Sequence, residues 1–406
     1  MKNNQTQKNI PNGWQETKLA SIGSFSKGSG ITKEQLSETG HNAVRYGELY
    51  TKHNFHIKKI YSYISDDVVP FAKKITFGDI LFAGSGETAE EIGKSAAYLI
   101  NEDAYAGGDL IIFRPKNANS LFLSYFLNVG EARKKLSEIG QGQSVVHIYK
   151  SDIENLSLHL PPLSEQNRIV SVLEIWDKTL ESLAKKIEIK KQIKKGLMQE
   201  LLTGKTRLPG FAGSTWEVAQ LQDICMVSMG QSPSSAAYNE MGKGIPLIQG
   251  NNDIKARKTI ARIWTTEITK KARKGDIIMT VRAPVGWIGI ATEDVCIGRG
   301  VCAIRATKVD SDFIFKLLEN HESRWKSFEQ GTTFTAVNSS DVKGLLLKIP
   351  KSKVEQAAIA NVLTVEDVEI AYLQRKLSLF QEQKRYLLNN LITGTIRTPE
   401  SLVIHP

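Results

Sequence analysis

The sequence predicts an α+β protein in which two mixed α/β domains alternate with two long helices that pair as an antiparallel coiled coil, the whole carrying an internal pseudo-twofold repeat. Three observations predict it. A proline-free run, EQNRIVSVLEIWDKTLESLAKKIEIKKQIKKGLMQELL at 165–202, returns 190 positions later as EQAAIANVLTVEDVEIAYLQRKLSLFQEQKRYLLNNLI at 355–392. Each copy has proline upstream and a Thr-Gly pair downstream, the punctuation of a helix. The segments in front of the helices share anchors too, so a whole unit is written twice. The expected boundaries are 1–160 and 206–350 for the two domains, and 161–205 and 351–406 for the helices.

The first domain opens after the polar tail with Pro11-Asn12-Gly13-Trp14. Trp14-Gln15-Glu16-Thr17-Lys18-Leu19 and Ile22 correspond to Trp216-Glu217-Val218-Ala219-Gln220-Leu221 and Ile224, each a strand leading to a Gly-Ser-rich loop. Val44 to Leu49 stands at the stage of Ile245 to Ile254. Gly78-Asp79-Ile80-Leu81-Phe82-Ala83 matches Gly275-Asp276-Ile277-Ile278-Met279-Thr280, a turn feeding a buried strand. Gly-rich connections follow at 85–96 and 282–291, then strands ending in arginine, DLIIFRPK at 109–116 and GVCAIRATK at 300–308. Helical patterns at 121–139 and 312–329, turn-rich segments at 140–153 and 331–342, and a last strand bring the chain to each long helix. The order of elements repeats while most residues between the anchors differ, which predicts one fold with two different surfaces.

The long helices carry an alternating four-three apolar seam. In the central helix it is Ile169, Leu173, Trp176, Leu180, Leu183, Ile187, Leu197 and Leu201, interrupted at Lys190 and Lys194. In the C-terminal helix it is Ile359, Leu363, Ile370, Leu373, Leu377, Phe380, Leu387 and Leu391, interrupted at Glu366 and Lys384. Lys194 and Lys384 occupy equivalent positions, and a polar seam residue fixes register or partner at some cost in stability. At 1.5 Å per residue each helix is about 57 Å long, too long for the core of one small domain. Antiparallel pairing would set the two domains at opposite ends of a rigid spacer.

Composition narrows the class of partner. Hydrophobic content of 41% and charged content of 24% are those of a globular protein. No apolar run could span a bilayer, and the polar N-terminus has no signal-peptide core. Three cysteines, Cys225, Cys296 and Cys302, make no disulfide framework and suit a reducing cytoplasm. A formal net charge of +10 is compatible with a polyanion, nucleic acid first, although charge alone does not establish it.

With these residues in place the chain resembles a known family. Pro161-Pro162-Leu163-Ser164-Glu165-Gln166, Leu201-Leu202-Thr203-Gly204, Pro350 with Glu355-Gln356, and Leu391-Ile392-Thr393-Gly394 are similar to anchors of the specificity subunit of type I restriction–modification systems. The likeness runs from Trp14 to Arg397. The second copy departs by one proline and one extra residue in KIPKSKVEQ. The resemblance implies two target-recognition domains, each reading one half of a bipartite, asymmetric site in double-stranded DNA. It further implies a coiled coil that sets the spacer and docks two modification (methyltransferase) subunits, and a restriction subunit that completes the nuclease. S-adenosylmethionine would then sit on the modification subunits, with no cofactor, metal or catalytic residue on this chain.

Other chemistry is weaker in the sequence. Asp79 to Gly86 looks like a methyltransferase cofactor loop, which keeps a stand-alone DNA adenine methyltransferase as the alternative. Yet Asp276 to Val281 lacks the glycines, and no Asn/Asp-Pro-Pro-Tyr/Phe motif occurs. Gly204-Lys205-Thr206 is no P-loop. The cysteines read as core and His53 with His56 as an exposed pair. Base reading needs bidentate groups, Arg for guanine and Asn or Gln for adenine. The DNA-binding candidates are therefore loop residues: Lys27, Arg45, Glu48, Ser85, Glu87, Lys94, Gln141, Gln143 and Ser144 in the first domain. In the second they are Gln231, Ser232, Gln249, Asn251, Asn252, Arg282, Trp287, Arg299, Thr332, Thr333 and Asn338. About half are expected near DNA, fewer on bases than on phosphate. Gly86, Gly142, Gly250 and Gly286 are expected to serve backbone turns. Lys185, Lys186, Lys190, Lys191, Lys194 and Lys195 read either as a solvated helix face or as a phosphate-contacting stripe.

Overall fold

The computed structural model describes residues 10–142, 145–322, 325 and 337–402. It divides into two compact units. The first runs to Ser182 and resumes at Lys376, and the second is Leu183–Arg375. Each unit thus takes part of both long helices, Leu163–Leu201 and Lys353–Ile392.

In the first unit, a two-stranded sheet joins Gln15–Lys18 to Ser157–Leu160. A five-stranded sheet runs in the order Gly23–Lys27, Leu110–Pro115, Ile80–Ala83, Ser95–Tyr98 and His56–Ile57. Ile80–Ala83 is buried on both faces, which is why the sequence there is an unbroken apolar run rather than an alternation. A second five-stranded sheet orders Leu36–Ser37, Ser62–Ile64, His41–Val44, Ala104–Ala106 and Lys73–Ile75. His41–Val44 and Ala104–Ala106 are parallel neighbours although they lie far apart in the chain.

The second unit repeats this plan. Trp216–Gln220 pairs with Leu346–Pro350. The larger sheet orders Cys225–Met229, Val301–Ala306, Ile277–Thr280, Ile288–Ile290 and Lys258–Thr259, with Ile254–Lys255 added at the edge. The smaller one orders Tyr238–Asn239, Trp264–Thr265, Ile245–Ile248, Val295–Ile297 and Lys271–Ala272. Helices Ser120–Leu127 and Ser311–Asn320 follow the arginine strands. They are capped by Asn119, accepting from Phe122 N, and Asp310, accepting from Phe313 N.

The repeated Glu-Gln pairs have a structural purpose. Gln166 donates to Pro161 O (2.9 Å) and accepts from Asn119 N (2.9 Å). Gln356 makes the same two bonds, to Pro350 O and from Asp310 N, both at 2.7 Å. Each side chain ties the start of a long helix to the cap of the helix before it. The glutamates go to arginines beyond the Thr-Gly pairs. Buried Glu165 takes Arg397 (Nη2 to Oε2, 2.7 Å) in the first unit, and buried Glu355 takes Arg207 (Nε to Oε1, 2.9 Å) in the second. The start of one helix is therefore clasped by the residues just past the end of the other. Gly204 (φ +70°) and Gly394 (φ +71°) make the left-handed turns between. A Cβ on Gly394 would come within 2.4 Å of Pro11.

Within each unit the partner numbers fall along the helices, from Glu165–Arg397 to Trp176–Phe380 in the first and from Lys190–Glu369 to Arg207–Glu355 in the second, so the helices run antiparallel. In the first, Trp176 meets Phe380 edge-on at 5.4 Å and Lys384 binds Asp177, which also accepts from Tyr125 Oη at 2.9 Å. In the second, Lys194 binds the equivalent Asp367 (2.6 Å), which also takes Lys316. Lys190 binds Glu366 (3.3 Å) and Glu369 (2.7 Å), so two seam interruptions answer each other. All the apolar seam positions are buried or half-buried. Ile169 and Leu173 enter one unit's core with Leu391, and Leu201, Ile359 and Leu363 enter the other's. Each fully buried side chain of this kind contributes about 1.5–3 kcal/mol.

Candidate nucleic-acid interface

The first unit places its candidates unevenly. Lys27, at the end of Gly23–Lys27, and Glu87 and Gln141, on loops, are exposed. Arg45 is half-buried at the N-cap of Tyr46–Thr51. Ser85 and Lys94 come together around Tyr50. Its hydroxyl donates to Ser85 O (3.0 Å), and Lys94 Nζ lies 3.5 Å from Tyr50 O. Burial holds the Lys94 ammonium below the usual lysine range and raises the Tyr50 phenol to about 12. Ser85 is itself buried, its hydroxyl 3.0 Å from His147 Nδ1. Glu48 turns inward, accepting from Ser62 Oγ with His53 Nε2 at 3.8 Å. Gln143 and Ser144 lie outside the described residues.

His53 and His56 are not the exposed pair that the sequence predicts. His53 is buried against Tyr61 and Glu48, and His56 is half-buried on the edge strand paired with Ala97–Tyr98. Burial, helped by Lys58, pulls the His56 imidazole down to about 4. The lysine cluster divides in two. Lys190 and Lys194 are consumed by the seam carboxylates, while Lys185, Lys186, Lys191 and Lys195 are exposed.

In the second unit the candidates converge. Ser232, Gln249, Asn251, Arg282 and Arg299 come from four separate chain segments. Together with Gly250, Ala283 and Gly300 they line one polar cavity of about 180 Å³. Buried Asp253 braces the loop that lines it: its Oδ2 accepts from Gln249 N (2.8 Å) and Gly250 N (3.2 Å). Ser232 Oγ accepts from Arg299 N (3.1 Å). A Cβ at Gly300 would collide with Gln249 O at 2.0 Å, so this approach requires glycine there. Gly250 is different. Its backbone is extended and nothing lies within 4 Å of a built Cβ, so the expected backbone requirement is absent. Gly142 and Gly286 do have left-handed φ, and a Cβ on Gly86 would come within 2.7 Å of Tyr50 Oη.

Four arginines of this unit are tied to carboxylates: Arg207 to Glu355, Arg257 to Glu322, Arg262 to Asp253 and Arg305 to Asp276. Among the described residues no carboxylate binds Arg282 or Arg299, and both are exposed. Trp287 is partly exposed with the Arg257 guanidinium 4.3 Å from its ring centroid. Sequence reasoning missed Arg257. It follows Ala256 in a two-residue turn with both φ values positive, and neither residue type announces such a turn. Gln231, Asn251 and Asn252 are exposed, and Asn338 is spent capping Ser339–Lys343. Thr332 and Thr333 lie outside the described residues.

Asp79 gives the cofactor-loop resemblance a different explanation. It is buried and held by Arg114 in a two-point ion pair (2.7 and 2.6 Å), and Asp276 with Arg305 does the same in the second unit. The three cysteines are free and buried on strands, with burial raising Cys225 and Cys302 to about 12. Among the described residues no group of three or more His, Cys, Asp or Glu could hold a metal ion.

Residues 11–191 and 213–378 match the type I restriction modification DNA specificity domain, once for each unit of the duplicated sequence. The chain belongs to the type I restriction–modification specificity family. A Methanocaldococcus jannaschii chain bearing the name of the MjaX type I restriction enzyme specificity subunit is 29% identical over 411 residues, 96% of this chain and 95% of that one. The EcoKI specificity subunit of Escherichia coli K12 is 24% identical over 200 residues, 48% of this chain and 43% of its own. A structure from work on assembly and conformational transition of the type I R-M system superposes with a TM-score of 0.64 at 25% identity, covering 96% of this chain and all of that one. The HsdS subunit from Thermoanaerobacter tengcongensis shares the fold, with a TM-score of 0.56 at 23% identity over 96% and 99% of the two chains. As a type I specificity subunit, the protein has a DNA-recognition role. No helix among the described residues is long and apolar enough to cross a membrane.

Proposed function

We propose that each unit of this specificity subunit reads one half of a bipartite, asymmetric DNA site. The long helices set the spacer and dock two modification subunits, and a restriction subunit completes the complex. The observation that carries this reading is a shared framework with different loop chemistry. The Asp–Arg braces, Glu–Arg clasps and sheet orders repeat, while the loop residues beside them do not. Two related surfaces of unlike chemistry suit two unlike half-sites.

The docking role is supported by apolar side chains that the seam leaves exposed on the C-terminal helix. These are Val365, Val368 and Tyr372 in one unit, and Leu379 and Tyr386 in the other. Val365, Tyr372, Leu379 and Tyr386 recur every seven residues, the spacing of a helix stripe that meets a partner. The chain is proposed to be non-catalytic and to bind no cofactor, with S-adenosylmethionine on the modification subunits. The ion pair that occupies Asp79 supports that assignment. A cytoplasmic location follows from work on DNA. The alternative, a stand-alone methyltransferase, predicts that the isolated chain binds S-adenosylmethionine.

The test is to express the chain with its modification subunit and map methylated adenines genome-wide. A split motif with unlike halves is expected, and a continuous or palindromic motif would refute the reading.

A further inference from the structure

The two units can be aligned by backbone bonds alone. Gly28 N donates to Leu110 O (2.8 Å) as Gly230 N does to Val301 O (3.0 Å). Gly84 N donates to Asp109 O (2.8 Å) as Val281 N does to Gly300 O (2.9 Å). Gly107 N donates to Val44 O (3.0 Å) as Gly298 N does to Ile248 O (2.8 Å). Three loop positions follow from these pairs: Arg45 corresponds to Gln249, Ser85 to Arg282, and Gly108 to Arg299.

We infer that these three positions determine base specificity, and that Arg282 and Arg299 read guanines in the half-site of the second unit. The inference rests on the proposal that each unit reads a half-site. Arginine presents a planar fork that matches guanine O6 and N7 in the major groove. Both forks here are exposed and bind no carboxylate among the described residues, unlike the four braced arginines of the same unit. They border a cavity whose Gln249 amide nitrogen is buried without a hydrogen-bond partner among the described residues, a donor held ready for a ligand acceptor. At about 180 Å³ the cavity lies below the roughly 300–1,000 Å³ of sites for drug-sized ligands, and suits the edge of a base pair better than a whole cofactor. The rigid surroundings suit recognition as well. Asp253 fixes the Gln249 loop, Ser232 fixes the Arg299 backbone, and Gly300 lets the two loops touch.

The first unit carries different chemistry at the same three places. Its one arginine, Arg45, stands where the second has glutamine, and Gly108 offers no side chain at all. Ser85 is buried with its hydroxyl on His147. The two half-sites should therefore place their arginine-read guanines at different steps.

The test maps methylation in cells expressing the full chain with its modification subunit, comparing the natural chain with R282A, R282K and R299A. These side chains are exposed and bind no carboxylate among the described residues, so folding is preserved, and thermal melting of each purified complex checks it. The expected result is loss of discrimination at a G·C position in one half of the motif only, by about 5- to 150-fold per arginine. R282K should fail like R282A, because an ammonium lacks the fork. A uniform fall in methylation with the motif unchanged and R282K active would make these residues phosphate contacts and overturn the inference. Unchanged methylation in all three variants would overturn it as well. A continuous motif from the natural chain would sink the half-site proposal and this inference together, so the two failures are distinguishable.

Discussion

Asp367→Ala removes the carboxylate that answers two lysines at once. Lys194 lies 2.6 Å from it and Lys316 binds it too, with the two lysine side chains only 14% and 9% exposed. Lys194 keeps Glu319 at 3.2 Å, whereas Lys316 loses its only carboxylate among the described residues. Removing one partner from a buried pair costs about 3–5 kcal/mol. Asp367 is 35% exposed, so the lower figure of about 2–3 kcal/mol applies after allowing for solvent screening. In a unit of this size that lowers its melting temperature by about 4–12 °C. Lys194→Met should cost about 1–2 kcal/mol, since Asp367 keeps Lys316. The double variant should cost little more than Asp367→Ala alone, a coupling of about 1–2 kcal/mol. Differential scanning calorimetry of the full chain reads all three. Additivity within about 0.5 kcal/mol would refute a shared network. Burial pushes the Asp367 carboxyl up, but hydrogen bonds from Lys194 and Lys316 more than reverse it, leaving it below the usual range. This contribution is therefore present above the ordinary carboxylate pKa and lost as pH falls below it.

Glu355→Gln should lower melting of the second unit by about 6–12 °C, from about 3 kcal/mol lost when Arg207 is left without its carboxylate. A shift under 2 °C would mean the clasp is not a structural brace. His56 should make the first unit acid-sensitive. Its folded pKa is about 4 against about 6.5 when exposed. The unfolded chain binds the extra proton between those values, so stability is full above pH 6.5 and declines as pH falls toward 4. Unfolding measured across that window should slope for the natural chain and flatten in His56→Asn. Equal slopes in both would remove His56 as the cause.

Much of this architecture is legible in the sequence because it is local or repeated. The strands after Asp79 and Asp276, the paired openings at Trp14 and Trp216, and the four-three seams each declare themselves within a short window. What the sequence conceals is who meets whom across long separations. Lys190 and Lys194 sit in a lysine-rich run that reads as a solvated face, yet their carboxylates lie far along the chain at Glu366, Glu369 and Asp367. His53 and His56 look exposed because a two-residue edge strand, and the loop before it that holds His53, have no period to read. The candidate site is split in the same way. Gln249, Arg282 and Arg299 are each visible as polar loop residues, but it takes the parallel pairing of Ile245–Ile248 with Val295–Ile297 and the antiparallel pairing of Ile277–Thr280 with Val301–Ala306 to bring their loops to one cavity. Residues such as Glu48 and Asn338 have the same polar character and are used instead as a brace and a cap.

The central claim is that two related units read two different half-sites independently. Exchanging residues 206–350 for those of another specificity subunit, expressing the hybrid with the same modification subunit and mapping methylated adenines tests it most directly. One half of the split motif should change while the other half and the spacer stay as they were. A hybrid that changes both halves, or keeps the original motif whole, would contradict the account.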